Sequence, residues 1–211
     1  MDKINLINND CMNVIPEYET NYFDLAIVDP PYGLPEFSEN PEQGTGVLKN
    51  RIFQEMDKSK WDKAPDALYF KELLRVSKNQ IIWGGNYFNL PPTREIICWD
   101  KEQPFPNFSA WEFAWTSFNR PAKIFRMNNR IKNKIHPTEK PVKLYKWLLK
   151  QYAKSGQLIL DTHLGSGNIA IACHDYNCNF LGIEINSAYY KKASKNYKDH
   201  KNQGNLFETR M

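Results

Sequence analysis

The chain has 211 residues, 41% of them hydrophobic, enough to bury one sizeable core and too short for a second full domain. It has neither a run of about 18 apolar residues nor an apolar leader at "MDKINLINND", so the expectation is a soluble cytoplasmic protein without a membrane partner. A net charge of +4 only hints at a polyanionic partner, and Cys11, Cys98, Cys173 and Cys178 show no CxxC pairing, so they read as reduced apolar residues and no metal site is expected.

Short apolar runs alternate with helix-like segments, the pattern of an α/β sheet covered on both faces. The first predicted strand, Ile4–Ile7, is followed by Asp10 and Cys11. The second, Leu25–Val28, runs directly into Asp29-Pro30-Pro31-Tyr32. Each proline fixes φ near about −65° and removes an N–H, so a carboxylate, a stiff free carbonyl and an aromatic face stand together at the end of a strand. Residues 33 to 60 show no period and contain Gly33, Pro35, Pro41, Gly44 and Gly46, the composition of a long functional loop. A helix over 65 to 77 and a strand over Gln80–Trp83 follow; the strand ends in Gly84-Gly85, either a simple turn or a close passage of backbone beside a ligand.

Strands are predicted next at Glu95–Trp99 and Glu112–Thr116. From Phe113 to Thr138 there is no Asp or Glu, while Arg120, Lys123, Arg126, Arg130, Lys132 and Lys134 stand among Phe118, Phe125 and Met127. Cations interleaved with aromatics suit a nucleic-acid backbone and its bases, and residues 117 to 137 read as a binding loop. A helix over 142 to 153, with Pro141 at its start, leads to a strand at Leu158–Leu160, a helix over 167 to 176, a strand at Phe180–Ile183 and a helix over 188 to 197. The sum is one domain with a seven-stranded, mixed, mostly parallel sheet.

The stretch "LILDTHLGSGNIAIACHDYNCNFLGIEIN", residues 158 to 186, reads strand, glycine-rich turn, helix, strand, acid. Glu184 follows Gly165 by 19 residues, the spacing that lets a carboxylate accept from both ribose hydroxyls of a nucleoside bound at the Gly165–Gly167 turn. A dinucleotide fingerprint would carry a third glycine near Ala170 and would not favour Asp161 before the turn. An acid there suits a cation, which favours S-adenosylmethionine, with its sulfonium and ammonium, over NAD.

Four segments in this order resemble the S-adenosylmethionine-dependent DNA amino-methyltransferases of the β arrangement: Asp29-Pro30-Pro31-Tyr32, the run from His136 through Thr138 and Lys140 to Pro141, Asp161 to Asn168, and Glu184. The resemblance spans residues 4 to 197 and implies a Rossmann-like methyltransferase fold, S-adenosylmethionine as cofactor and a flipped base in double-stranded DNA as substrate. Asp29 and the Pro30 carbonyl would accept the hydrogens of the target amine, Pro31 would lock the geometry and Tyr32 would stack on the base.

The family's cofactor positions map onto Asp10 and Cys11 for the adenine, Glu184 for the ribose, and Asp29, Asp161, Gly165, Ser166, Gly167 and Asn168 around the methionine. Thr138 and Lys140 resemble the positions that hold its carboxylate end. Thr162-His163 departs from the Pro-Phe often found there, so His163 either packs as the aromatic does or adds a titratable group; His136 is equally a loop histidine or a participant. Family members are often dimers and carry a larger target-reading region than residues 117 to 135, with which loop 33 to 60 could share the task.

Asp29 points to adenine N6, since cytosine-N4 enzymes more often have serine there. Cytosine N4 is the nearest alternative, and a binding module without catalysis conflicts with an intact Asp-Pro-Pro-Tyr segment.

Overall fold

A computed structural model of the chain describes residues 3–33, 63–103, 109–128 and 139–208. Strand Leu25–Val28 (β2) is buried at all four positions, as a strand covered on both faces must be, and it sits in the middle of one sheet. That sheet also contains Ile4–Asn8 (β1), Gln80–Trp83 (β3), Ile96–Asp100 (β4), Trp111–Thr116 (β5), Lys123–Arg126 (β6), Leu158–Asp161 (β7) and Asn179–Glu184 (β8), in the order β1-β8-β7-β2-β3-β5-β4-β6. All neighbours pair in parallel except β5, which runs antiparallel to both β3 and β4.

The predicted sheet of seven strands is therefore corrected to eight. The additional strand, β6, lies inside the basic stretch read as a loop. It is an edge strand pairing with β4 alone, and its Lys-Ile-Phe-Arg sequence alternates partly buried and exposed positions without an apolar run.

Helix Ala67–Val76 (α1) places Tyr69, Phe70, Leu73 and Val76 on one stripe against β2 and β3, and Asp66 caps it by accepting the Tyr69 N–H at 3.0 Å. The opposite face of the sheet is covered by Val142–Tyr152 (α2), Asn168–Asp175 (α3) and Ser187–Glu208 (α4), through Leu144, Leu148, Ile169, Ala172 and Ala193. Trp83 and Trp99 fill that second core and meet edge to face at 6.5 Å. No helix among the described residues is long and apolar enough to cross a membrane.

This topology positions the site. From β7 the chain crosses to β8 through α3, and from β2 it crosses to β3 through α1 on the other face, so order reverses between the two central strands. At such a switch point a crevice opens at the carboxyl ends of the strands. Asp161 ends β7 and Asp29 follows β2 there, while Glu184 ends β8 and Gly84 follows β3 along the same edge. Because β5 is antiparallel, its first residues, Trp111 and Glu112, come to this edge too.

Candidate active site

Asp29 is tied by both carboxylate oxygens. The Tyr32 hydroxyl donates to Oδ1 at 2.8 Å, and the Lys140 ammonium donates to Oδ2 at 2.5 Å. The Lys140 side chain is only 1% exposed and reaches a second acid, Glu112 Oε2, at 3.1 Å; Lys101 holds the other oxygen of Glu112 at 2.6 Å. Burial pushes the Asp29 carboxyl above the ordinary carboxylate range, and the Lys140 ammonium opposes that push. Burial disfavours the Lys140 charge, but Asp29 and Glu112 outweigh it and raise its pKa. Burial acts against the Glu112 anion as well, and there Lys140 and Lys101 prevail and lower its pKa.

Tyr32 packs against aromatic neighbours from the segment after β3. Tyr87, about half exposed, stacks on it with centroids 4.9 Å apart, and Phe88 meets it edge-on at 6.1 Å. Gly84 makes this possible: its φ is +66°, and an added Cβ would fall 2.2 Å from the Tyr32 ring. Gly84 thus serves close passage beside Tyr32, and Gly85 close passage over Trp115, whose Cβ would lie 2.3 Å from an added one. Gly84→Ala is expected to cost about 2 kcal/mol or more from left-handed strain and overpacking, read as a lower urea midpoint. Unchanged stability would show that Tyr32 can move aside freely.

On the other side of Asp29 stands a cluster of buried acids. Asp161, 2% exposed, accepts the His163 backbone N–H at 2.9 Å, and its pKa is pushed up to about 8 by burial first and then by Asp29 and Glu184. Glu184 accepts the backbone N–H groups of Gly165 and Asn186, each at 2.9 Å, while burial raises its pKa. Tyr145 of α2 feels Asp161, Asp29, Glu112 and Glu139 together. Such a concentration of buried negative charge suits a ligand that brings cationic centres and hydroxyl donors.

The structure distributes the remaining predicted site residues unevenly. Asp10 opens the 3₁₀ turn Cys11–Asn13 after β1 by accepting the Met12 N–H at 2.9 Å, and the Cys11 thiol is pushed up to about 12 by burial and by Asp10, so it stays protonated. His163 packs as an aromatic: its ring meets Tyr69 edge-on at 5.4 Å, Nδ1 lies 2.9 Å from Thr162 Oγ1, and burial lowers its pKa to about 4, leaving it neutral at pH 7.

Three of the residues assigned to the cofactor also have partners within the protein. Asn168 is committed internally, donating from Nδ2 to Glu139 Oε1 and to the Lys140 carbonyl. Gly167, with φ +76°, uses its missing side chain against α4, since a Cβ would lie 2.9 Å from that of Ala193. Ser166 is buried, and its carbonyl accepts from Asn196.

Of the basic stretch, Arg120 and Lys123 lie at the far edge of the sheet from Asp29, where β6 starts, and both have partners there. Arg120 Nε donates to fully buried Glu95 at 3.0 Å with its guanidinium over Phe118 and Tyr152, and Lys123 donates to Gln151 at 2.8 Å. Phe125 packs on Trp147 of α2. Arg126, at the near end of β6, is 63% exposed with Asp100 3.4 Å away. Arg130, Lys132, Lys134, His136 and Thr138, most of loop 33 to 60 and residues 129 to 135 lie outside the described residues.

Glu112 and Tyr87 were not anticipated. The available signal for Glu112 was an acid inside an otherwise apolar strand sequence, WEFAWT.

Asp29, Asp161 and Glu184 thus converge at the switch point of an α/β sheet, where folds of this kind keep their ligands. A family model described as DNA methylase matches residues 111–195. The Type II methyltransferase M.HpaI of Haemophilus parainfluenzae is 32% identical over an alignment covering 98% of this chain and 78% of its own. The chain belongs to this family of DNA methyltransferases. The fold agrees with M1.HpyAVI solved with SAM (TM-score 0.58, 19% identity, 92% of this chain and 99% of that one). It also agrees with the cytosine-N4-specific PvuII DNA methyltransferase (TM-score 0.58, 11% identity, 95% and 94%).

Proposed function

We propose that the protein transfers a methyl group from S-adenosylmethionine to the exocyclic N6 amine of an adenine flipped out of double-stranded DNA. The observation that carries this reading is the Asp29 carboxylate, held by Lys140 and Tyr32 beside the buried acids Asp161 and Glu184 at the carboxyl ends of the strands. S-adenosylmethionine suits that set of acids: Glu184 would receive its ribose hydroxyls, and Asp161 would face the cationic methionine end. When bound, it supplies an electrophilic methyl group.

The chain's own residues do the rest. An adenine amine is a poor nucleophile because its lone pair is delocalised into the ring. A carboxylate offers about four lone-pair positions, so Asp29 can accept an amine hydrogen while keeping Lys140 and Tyr32. The Pro30 carbonyl, in a stiff Pro-Pro segment, takes the second. The two acceptors return electron density to nitrogen and aim it, which is positioning and electrostatic stabilisation. A carboxyl raised above its usual pKa is also the better acceptor for the proton that the methylated amine sheds. Tyr32, with Tyr87 beside it, offers the aromatic surface on which a base stacks, and Arg126 stands exposed at the same edge for the phosphate backbone.

An aspartate at the head of the Asp-Pro-Pro-Tyr segment favours adenine; the resemblance to a cytosine-N4 enzyme keeps the second base in the test. Unmethylated DNA incubated with labelled S-adenosylmethionine, digested to nucleosides and analysed by mass spectrometry should yield N6-methyladenine. N4-methylcytosine in its place would move the assignment to the other base, and no product would overturn it.

A further inference from the structure

Resting on that reading, we propose that Lys140, backed by Glu112, is the positioning residue of Asp29 and does not serve the cofactor's carboxylate. The resemblance of the sequence segment to a cofactor-carboxylate position is set against a donor count. An ammonium has three N–H donors. Lys140 directs them into surroundings made of Asp29 Oδ2 at 2.5 Å, Glu112 Oε2 at 3.1 Å and the face of Trp83, whose centroid is 4.9 Å away. With 1% of the side chain exposed, the ammonium is enclosed by these protein groups, one hydrogen-bonded carboxylate and one ion-paired one, and turned away from a ligand anion.

The backbone is equally committed, since Asn168 Nδ2 donates to the Lys140 carbonyl at 2.9 Å. Glu112 is pinned in turn by Lys101, itself set over the Trp99 ring at 5.5 Å. The result is a row of alternating charges, Asp29, Lys140, Glu112 and Lys101, running from the reacting edge along the starts and ends of β2, β5 and β4. With one oxygen held by the ammonium and the other by the Tyr32 hydroxyl, the carboxylate plane cannot rotate, and the lone pairs left for the amine have one direction. A buried cation placed for a carboxylate in the protein, and not for one in the ligand, is a device for orientation.

The groups that face Asp29 are Tyr32, Lys140, Glu112, Asp161 and Tyr145, with Lys101 acting through Glu112. Removing the cation and removing the neighbouring anion must therefore move the Asp29 titration in opposite directions. The test uses ¹³C-carboxyl NMR titration of the full chain, with Asp29→Asn to assign the signal, together with calorimetric binding of S-adenosylmethionine and single-turnover transfer.

In Lys140→Met the Asp29 titration is expected to rise by about one pH unit or more. Transfer should slow by about 100-fold, the cost of a misplaced reacting group, while the cofactor Kd stays within about threefold. In Glu112→Gln, which keeps the Lys140–Asp29 pair and guards against a misfolded first variant, the titration is expected to fall. A cofactor Kd weakened about tenfold in Lys140→Met, or an Asp29 titration that moves in neither variant, overturns the proposal. Titrations that shift as expected in a protein that transfers nothing to DNA would uphold the positioning and sink the assigned reaction, so the two failures are distinct.

Discussion

Asp29→Ala is expected to reduce kcat for methyl transfer by roughly two to three orders of magnitude, the usual cost of losing one preorganised electrostatic partner of a transition state. The loss should fall on kcat and kcat/KM together, because the acceptor acts on an amine whose charge changes only as the bond forms. Cofactor binding should survive, since Glu184 and Asp161 are held by the backbone of the Gly165 turn and of His163, and neither depends on Asp29. The buried Lys140 ammonium keeps Glu112 as a partner in this variant, so the fold should persist. Single-turnover kinetics beside a cofactor titration make the check: an unchanged rate removes Asp29 from the chemistry, and a lost cofactor site relocates its role.

Asp161→Asn should raise stability at alkaline pH and flatten its pH dependence. The Asp161 carboxyl in the folded protein titrates at about 8, against about 3.9 unfolded. Between those values the folded state holds the extra proton, so its contribution is full below about pH 4 and is lost as pH rises through about 8. At pH 8 the penalty is on the order of 5 kcal/mol, which Asn does not bear, corresponding to a Tm higher by about 10–20 °C. A cationic ligand seated beside Asp161 favours the anion, so in the wild type S-adenosylmethionine should bind more tightly as pH rises from 6 towards 8, and Asp161→Asn should abolish that slope. Melting curves and calorimetry across this range decide it. A wild-type Tm that climbs from pH 6 to 8.5, with a variant that follows it, would show that Asp161 is ionised and already compensated.

Both predictions concern residues visible in the chain before any fold was known. Asp29, Asp161 and Glu184 each follow an apolar run of three or four residues. An acid cannot continue a strand buried on both faces, so it marks the strand end, where an α/β sheet keeps its ligands. Hydrophobic periodicity likewise placed α1, α2 and seven of the strands. The strand it missed, β6, is a four-residue edge whose two ends are cations, and only its pairing to β4 makes it a strand.

Local chemistry did not reveal a polar residue's partner where that partner was distant in sequence. Asn168 sits beside the glycine turn in sequence, yet its amide holds Glu139 and Lys140. Arg120 and Lys123 look like a nucleic-acid patch, yet the register of β6 puts them at the edge away from the site, on Glu95 and Gln151. Charge along a chain says nothing about which end of a strand it occupies.

The amino-acid sequence by itself determined that this is an α/β protein with a carboxylate, a rigid carbonyl and an aromatic ring at one strand end and acids at two others, because burial and proline stiffness act locally. Only the tertiary structure decided what holds those groups. The antiparallel course of β5 brings Glu112 to the edge where Lys140 meets Asp29, and the bend at Gly84 lets Tyr87 lie on Tyr32. Ion pairs and ring contacts of this kind depend on strand direction and register, which side-chain pattern along one segment does not encode.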